Sequence, residues 1–460
     1  MTFIYLFLSS FTSLSSRLFN QLSKHMILMA SGLLAMPTLY DWSEMNVFYT
    51  TDGMADILML LTAYTMPLSI MSNWNNMKST LFFELVFNLG IILLINFMCQ
   101  DMTSFYIYFE ASLAPLFIMM GLYGATNKDK AADYMLIYTL FSSLFMLLAM
   151  AMYEILLNNT DYQATSLLVL SMDLQCILFL AISMGIAVKT PLAPVHTWLP
   201  VVHSESPLAG SMLLAGVMLK LAIYAMMRLM LPTLSDAAIL YTPLMYVLCV
   251  MTMIYTSMMT LRQTDTKVIM AYSSMSHMAV CMLGMLSNTL TGMSGSLMLS
   301  LAHGFVSPGL FIMVGGILYD RYHNRLMYYY QGLLTYMPLL AVYLMMLSFC
   351  NTGTPLSLNF IGEMLSLTGS MNRGPMLGGL ATLSVLLSAS YQMKMTNRLT
   401  GGMKTPYMKL TSDCTYRESY LMWSLMLPTM FFGLFPNYML DMMWEGSNLM
   451  YKMYSYMGKM

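Results

Sequence analysis

The sequence predicts an all-α, polytopic membrane protein of about fourteen transmembrane helices. Three observations carry that reading. Of the 460 residues, 58% are hydrophobic and only 9% are charged, against about 25% charged in an ordinary soluble domain. Apolar runs of about twenty residues, the length that crosses a bilayer as a helix, recur along the whole chain. Two of those runs are interrupted by proline or glycine beside an ionisable residue.

The runs lie near 3–20, 26–41, 54–74, 80–99, 103–124, 133–157 and 166–200, the last interrupted after Lys189. They continue near 207–231, 238–260, 267–287, 291–318, 331–370 (interrupted around 351–356), 376–395 and 418–436. Lys and Arg gather on one side of a membrane, which checks the count independently. With connections numbered in order, the odd ones contain or abut Lys24, Lys78, Lys128, Lys130, Arg262, Lys267, Arg321, Arg325, Arg398, Lys404, Lys409 and Arg417. The even ones have only Arg228 and Arg373 near them. Both termini are therefore expected opposite the basic side, with Lys452 and Lys459 standing against that rule. The first forty residues hold no acid, several serines, Arg17 and Lys24, and read as membrane-embedded sequence.

The remaining totals exclude more than they suggest. A net charge of −1 with no basic run gives no handle for nucleic acid. The six cysteines stand singly, so they read as small apolar residues, and neither they nor the histidines form a metal pattern. The nearest candidate, His196, His203 and Glu205, has a spacing that fits no zinc motif. No GxGxxG, Walker motif, cysteine cluster or nucleophile constellation occurs. Any pumping must draw its energy from another subunit or an ion gradient. The 59 methionines point to a genetic code that reads an extra codon as Met.

Ionisable residues at membrane depth are costly and tend to face other helices or water, where they serve transport. Four stand out: Glu110 in FYIYFEASLAPLFIMMG, Lys189 in AVKTPLAPVHTWLP, Lys220 in SMLLAGVMLKLAIYAMM and Glu363 in NFIGEMLSLTG. Lys220 has about twelve residues of span on either side, too far for its amine to reach the interface. Burial disfavours the ionised form of amine and carboxyl alike, so both kinds of group come to take and release protons under working conditions. Glu84, Glu154 and Asp173 lie nearer span ends and read as ordinary surface charges. His203, His277 and His303 fall in or beside spans, where a proton shuttle and a hydrogen-bonded structural role are both open to them.

Pro191 and Pro194 open the helix after Lys189, and Gly353 and Pro355 open the one before Glu363. Non-helical backbone at this depth survives only inside protein or against water. Two broken spans five apart suggest a pair of inverted five-helix repeats, over 80–231 and 238–395. Residues 1–100 hold the N-terminal helices one to four, the first repeat starting within them near 80, and residues 396–460 add a loop, a last helix and a tail to this single membrane domain.

The runs VKTPLAPVHTWLPVVHSESPLAGSMLLAGVMLKLAIYAMMR, DTKVIMAYSSMSHMA, FYIYFEASLAPLFIMMG and LAHGFVSPGLFIMVGGILYDRYHNR closely resemble the antiporter-like proton-pumping subunits of mitochondrial NADH:ubiquinone oxidoreductase, respiratory complex I. The resemblance covers roughly residues 50 to 395. It implies a fold of fourteen helices with the seventh and twelfth broken, in the membrane arm of the complex in the mitochondrial inner membrane, basic side to the matrix. It implies a relay in which Glu110 controls Lys189, and protons pass through Lys220 toward Glu363. His203, His277 and His303 match family histidines near the hydrated axis. NADH, FMN, iron–sulfur clusters and ubiquinone would belong to other subunits, leaving this chain without a cofactor of its own. Its partners would be other membrane-arm subunits, including neighbouring antiporter-like chains, and lipids. Subunits of multisubunit Na⁺/H⁺ antiporters share much of the pattern and form the alternative. LAIYA after Lys220 replaces a glycine-rich family segment, which implies a stiffer span eight. Lys394 and Arg398 match no family role.

Overall fold

The computed structural model describes residues 52–74, 80–166, 170–444. The spans expected near 3–20 and 26–41 lie outside them. Among the described residues, ten helices are long and apolar enough to cross a membrane. In chain order the main helices are α1 (Gly53–Ser72), α2 (Thr80–Met98), α3 (Met102–Tyr123), α4 (Lys128–Leu157), α5 (Met172–Lys189), α6 (Trp198–Glu205) and α7 (Leu208–Met230). There follow α8 (Ser235–Arg262), α9 (Thr266–Leu286), α10 (Leu290–Tyr322), α11 (Pro338–Asn351), α12 (Leu358–Arg373), α13 (Pro375–Thr400) and α14 (Tyr416–Leu434). Span seven is thus α5 plus α6 and span twelve is α11 plus α12, both broken where the sequence places proline or glycine.

Two helices form the axis. The membrane-crossing parts of α7 and α10 are buried entirely inside the protein, and α9 nearly so. The outer helices α4 and α13 instead expose a face of Ile137, Leu148, Ile155, Leu383 and Leu386. Apolar residues on all sides of a helix mark it as interior, whereas one greasy face is what hydrocarbon solvates. The charged candidates of the sequence lie on or against the interior helices.

Small residues set how closely those helices approach. A Cβ on Gly362 of α12 would lie 2.6 Å from the Leu299 backbone nitrogen of α10. Backbone is therefore in contact with backbone, the packing small residues permit in membranes.

The breaks are closed by side chains rather than left open. After α5, the Trp198 indole Nε1 donates to the Val188 carbonyl at 2.9 Å, so α6 is pinned back on the end of α5. Between α11 and α12 the chain turns through Gly353 and Leu356 at positive φ. The Ser357 hydroxyl then caps α12 by accepting from the Phe360 amide. A Cβ at Gly353 would lie 2.5 Å from Glu363 Oε2, so only glycine lets this loop touch that carboxyl. Span eight is no regular rod: residues 214–218 and 226–230 are wound as π-helix, as are 312–318 in α10.

The arginine ion pairs sit at the two ends of the bundle. On the side of the basic connections, Arg325 pairs with Glu205 at 3.3 Å and Asp265 at 3.9 Å, and Arg321 with Glu418 at 2.8 Å. On the other side Arg228 pairs with Asp52 at 2.5 Å. There too Asp101, before α3, bridges to Asp161, after α4, through backbone bonds Met102 N–H to Thr160 O at 2.9 Å and Tyr162 N–H to Gln100 O at 3.1 Å. The hydrogen bond to Asp161, more than burial, pushes the Asp101 carboxyl up to about 6, while the same bond holds Asp161 low. Below about 6 Asp101 keeps the proton it donates; above it two carboxylates face each other and repel.

Two outcomes follow. Gly362→Ala forces α12 off α10 and should lower stability by about 1–3 kcal/mol, read as a drop in thermal unfolding temperature in detergent. The Asp101–Asp161 bridge should loosen as pH rises through about 6, seen as falling hydrogen-exchange protection at the Met102 and Tyr162 amides. Asp101→Asn, which donates at any pH, should abolish that dependence.

Candidate functional site

The site is built around Lys220, whose side chain is 0% exposed on α7. A π-turn adds a residue to the helix and leaves carbonyls without their usual amide. The π-segment 214–218 stands one turn before Lys220, and the Lys220 amine donates to the Ala215 carbonyl there. The same Nζ lies 2.9 Å from His303 Nδ1 on α10. One amine therefore joins a freed backbone oxygen to an imidazole.

The line continues across α10 and α9. The rings of His303 and His277 are 5.8 Å apart between centroids. His277 Nδ1 stands 3.1 Å from Glu363 Oε1 on α12, and His277 Nε2 is buried with no hydrogen-bond partner. Lys220, His303, His277 and Glu363 thus stand in sequence, with one gap, between the two histidines. All four are buried. The Ser307 hydroxyl, 3.5 Å from His303 Nδ1, spends its proton on the His303 carbonyl at 2.7 Å.

The other expected residues are less closely joined. Glu110 lies in α3 just before a kink at Ser112, and both its carboxyl oxygens are buried without a hydrogen-bond partner. Lys189 Nζ, likewise unpartnered, stands over the Phe109 ring at 4.1 Å. Phe109 is Glu110's neighbour, so the ring holds the ammonium beside the carboxyl's own backbone. Between Lys189 and α7 is a cavity of about one water molecule, lined by Leu113, Leu116, Met135, Thr139, Trp198 and Met218. Its polar lining is confined to Thr139 and Lys189, so the way from Lys189 to Lys220 is a greasy one.

His203 is buried, with neither ring nitrogen bonded, and stacks on Phe311 at 4.7 Å. It lies beside the line rather than in it. His196 meets the Tyr255 ring edge-on at 5.3 Å. Glu205 turns away from the histidines to Arg325 and the Asn127 amide. Glu154 and Asp173 are exposed and Glu84 half-buried, as expected of span-end charges. Lys394 donates to the Leu261 carbonyl and Arg398 stacks over Tyr328, both at the bundle's end.

Sequence reasoning missed five contributors. The Ala215 carbonyl has no sequence signal, because a π-turn is a backbone event. Phe109 reads as one more aromatic in an apolar span. Asn351, Asn359 and Gln392, all buried around the second break, were open to the rule that singled out the charges, since an amide in hydrocarbon is also costly.

The profile of the family described as NADH:quinone oxidoreductase/Mrp antiporter, TM, matches residues 99–388, the stretch that holds every residue of this line. The chain belongs to that family. A curated relative named NADH-ubiquinone oxidoreductase chain 4, from Debaryomyces hansenii, is 75% identical over 98% of this chain and 97% of its own. One of the same name from Yarrowia lipolytica is 51% identical over 88% of this chain and 84% of its own. Among solved structures, a chain of respiratory complex I from Thermus thermophilus with bound NADH is 26% identical, with a TM-score of 0.88 over 98% of both chains. A chain of the Mrp complex from Dietzia shares the fold at 14% identity and a TM-score of 0.82, over 93% of this chain and 92% of its own.

His303→Leu removes the bridge between Lys220 and His277 while keeping a buried side chain. It should cut proton translocation by the assembled complex at least about tenfold, measured as the initial rate of acidification or dye quenching per NADH oxidised.

Proposed function

We propose that this chain is a proton-translocating subunit of the membrane arm of respiratory complex I in the mitochondrial inner membrane. The single observation that carries the reading is the run of groups from Lys220 through His303 and His277 to Glu363, with two contacts at hydrogen-bond distance. Bond-making groups in this order, sealed in hydrocarbon, serve proton passage better than they serve stability, because buried charges rarely pay for their own desolvation. The likeness to a complex I chain at 26% identity, against 14% for an Mrp chain, supports complex I over the Na⁺/H⁺ antiporter alternative.

Protonated Lys220 gives its proton to His303 Nδ1 and remains a neutral amine. The His303–His277 gap is short enough for one water to carry the proton to the unpartnered His277 Nε2. His277 hands a proton from Nδ1 to Glu363 Oε1. Glu110 sets the charge state of Lys189, and water entering the small Leu/Met-lined cavity joins Lys189 to Lys220 transiently. A lysine reloaded across a normally dry gap acts as a gate, because protons cannot flow until water enters. His203, stacked and unbonded, lies where it can join a wetted state. The two broken spans belong to inverted repeats 80–231 and 238–395, with the matrix on the side of the basic connections.

Electron transfer from NADH through FMN and iron–sulfur clusters to ubiquinone takes place in other subunits, and this chain supplies no redox group. Its neighbours are further membrane-arm subunits, antiporter-like ones included, and lipid.

The test is the intact complex in proteoliposomes. Lys220→Ala should leave the complex assembled and depress NADH-driven proton translocation at least about tenfold. Near-normal translocation in that variant would overturn the reading. Thr139→Val, close in volume but without the hydroxyl of the Lys189 cavity, should slow translocation about threefold through poorer wetting.

A further inference from the structure

The relay above leaves unused a second set of buried polar groups, on the far side of Glu363. Helix α13 exposes Leu383, Leu386 and Lys394, while Ser384, Ser388, Tyr391, Gln392, Thr396 and Thr400 are buried on its inner face. These recur at three- and four-residue steps, which is one stripe along a helix. The stripe begins beside Glu363, because Ser384 and Ser388 line a small cavity together with Glu363, His277 and Ser276. It ends at Thr400, next to the connection that carries Lys404 and Lys409. Helix α8, packed along α13, buries Thr252, Thr256 and Thr260 in the same half of the bundle.

Serine and threonine in membrane helices commonly spend their protons on their own helix, and these do: Ser388 on Val385, Thr396 on Gln392, Thr400 on Thr396. The stripe alone would then be ordinary packing. Gln392 is different. It is 0% exposed, its Oε1 accepts from Asn351 Nδ2 at 3.5 Å, and its Nε2 has no partner. Asn359, one turn before Glu363, is also wholly buried with both amide atoms unpartnered. Buried amides without partners are rare in native proteins and are usually met by ordered water. Tyr391, next to Gln392, has its hydroxyl 3.5 Å from Ser276 Oγ, on the wall of the Glu363 cavity. Hydroxyls that have spent their protons still accept, so a water column against this stripe finds acceptors at each turn and donors at Gln392.

We propose that the inner face of α13 is a second water-filled line, along which protons reach Glu363 from the side bearing the basic connections without passing Lys220, and that Gln392 is its positioning residue. Glu363 then has two neighbours in proton exchange: His277 on one side and the water beside Ser388 on the other. The inference rests on the proposed function, and the two can fail separately.

The experiment uses the intact complex in proteoliposomes, with pH varied on the face bearing the basic connections. Gln392→Met keeps the length of the side chain and removes its polar end. Translocation should fall at least about threefold near pH 8, and the deficit should close toward pH 6, because a starved supply becomes proportional to proton concentration. Gln392→Glu, which can still hold water, should recover at least about half of the rate. If Gln392→Met does not assemble, Thr396→Val carries the same expectation. A variant that pumps like the unaltered protein at every pH, or one slowed equally at every pH, overturns the proposal. Lys220→Ala measured alongside separates the cases: normal pumping there defeats the relay itself, whereas a dead Lys220→Ala with an unaffected Gln392→Met defeats only the second line.

Discussion

A primary amine wholly removed from water is costly unless it finds acceptors inside the protein, and Lys220 finds two. One is a carbonyl released by a local change of helical winding; the other is an imidazole on the neighbouring axial helix. Much of the rest is arranged to make this possible. The membrane-crossing parts of the two axial helices are buried, so neither lipid nor bulk solvent competes for the amine. Glycine lets α12 lie against α10 backbone to backbone, and the carboxyl of Glu363 comes within reach of His277. Trp198 and Ser357 each satisfy a backbone group at the helix breaks, which helps irregular backbone persist at depth.

The two halves of the line differ in character. From Lys220 to Glu363 polar atoms meet at two contacts on either side of one gap, whereas between Lys189 and α7 the lining is mostly methionine and leucine. Methionine is long, unbranched and adaptable. A partition of such side chains can part for a water molecule and close again with little rearrangement. An apolar constriction of this kind, which dewets, is the form that gates take in membrane proteins.

Most of the fold was legible in the sequence, because hydrocarbon allows few solutions. Every run expected within the described residues became a helix, and both interruptions fell at their prolines and glycines. That the charged candidates are buried was legible for the same reason: Lys220 stands too deep in an apolar run to reach the interface. Their connectivity was less so. That His277 meets Glu363 follows from how α9 lies against α12, a long-range arrangement that spacing does not encode. The gap between Lys189 and Lys220 was hidden too, since adjacency of helices does not say which side chains fill the space between. LAIYA after Lys220 is itself regular α-helix, and the two π-segments of span eight flank it at 214–218 and 226–230, where the composition carries no sign of them.

Arg325 reaches the last turn of α6 at Ser204 and Glu205 and the start of α9 at Asp265, while its own backbone carbonyl accepts from Thr266. A single guanidinium thus fastens the second half of broken span seven to the connection that follows α10. Force applied to one would be felt by the other, as through a strut between two hinged panels. Arg325 thereby becomes a mechanical link, joining the part of the protein that surrounds Lys189 to the part that surrounds His303.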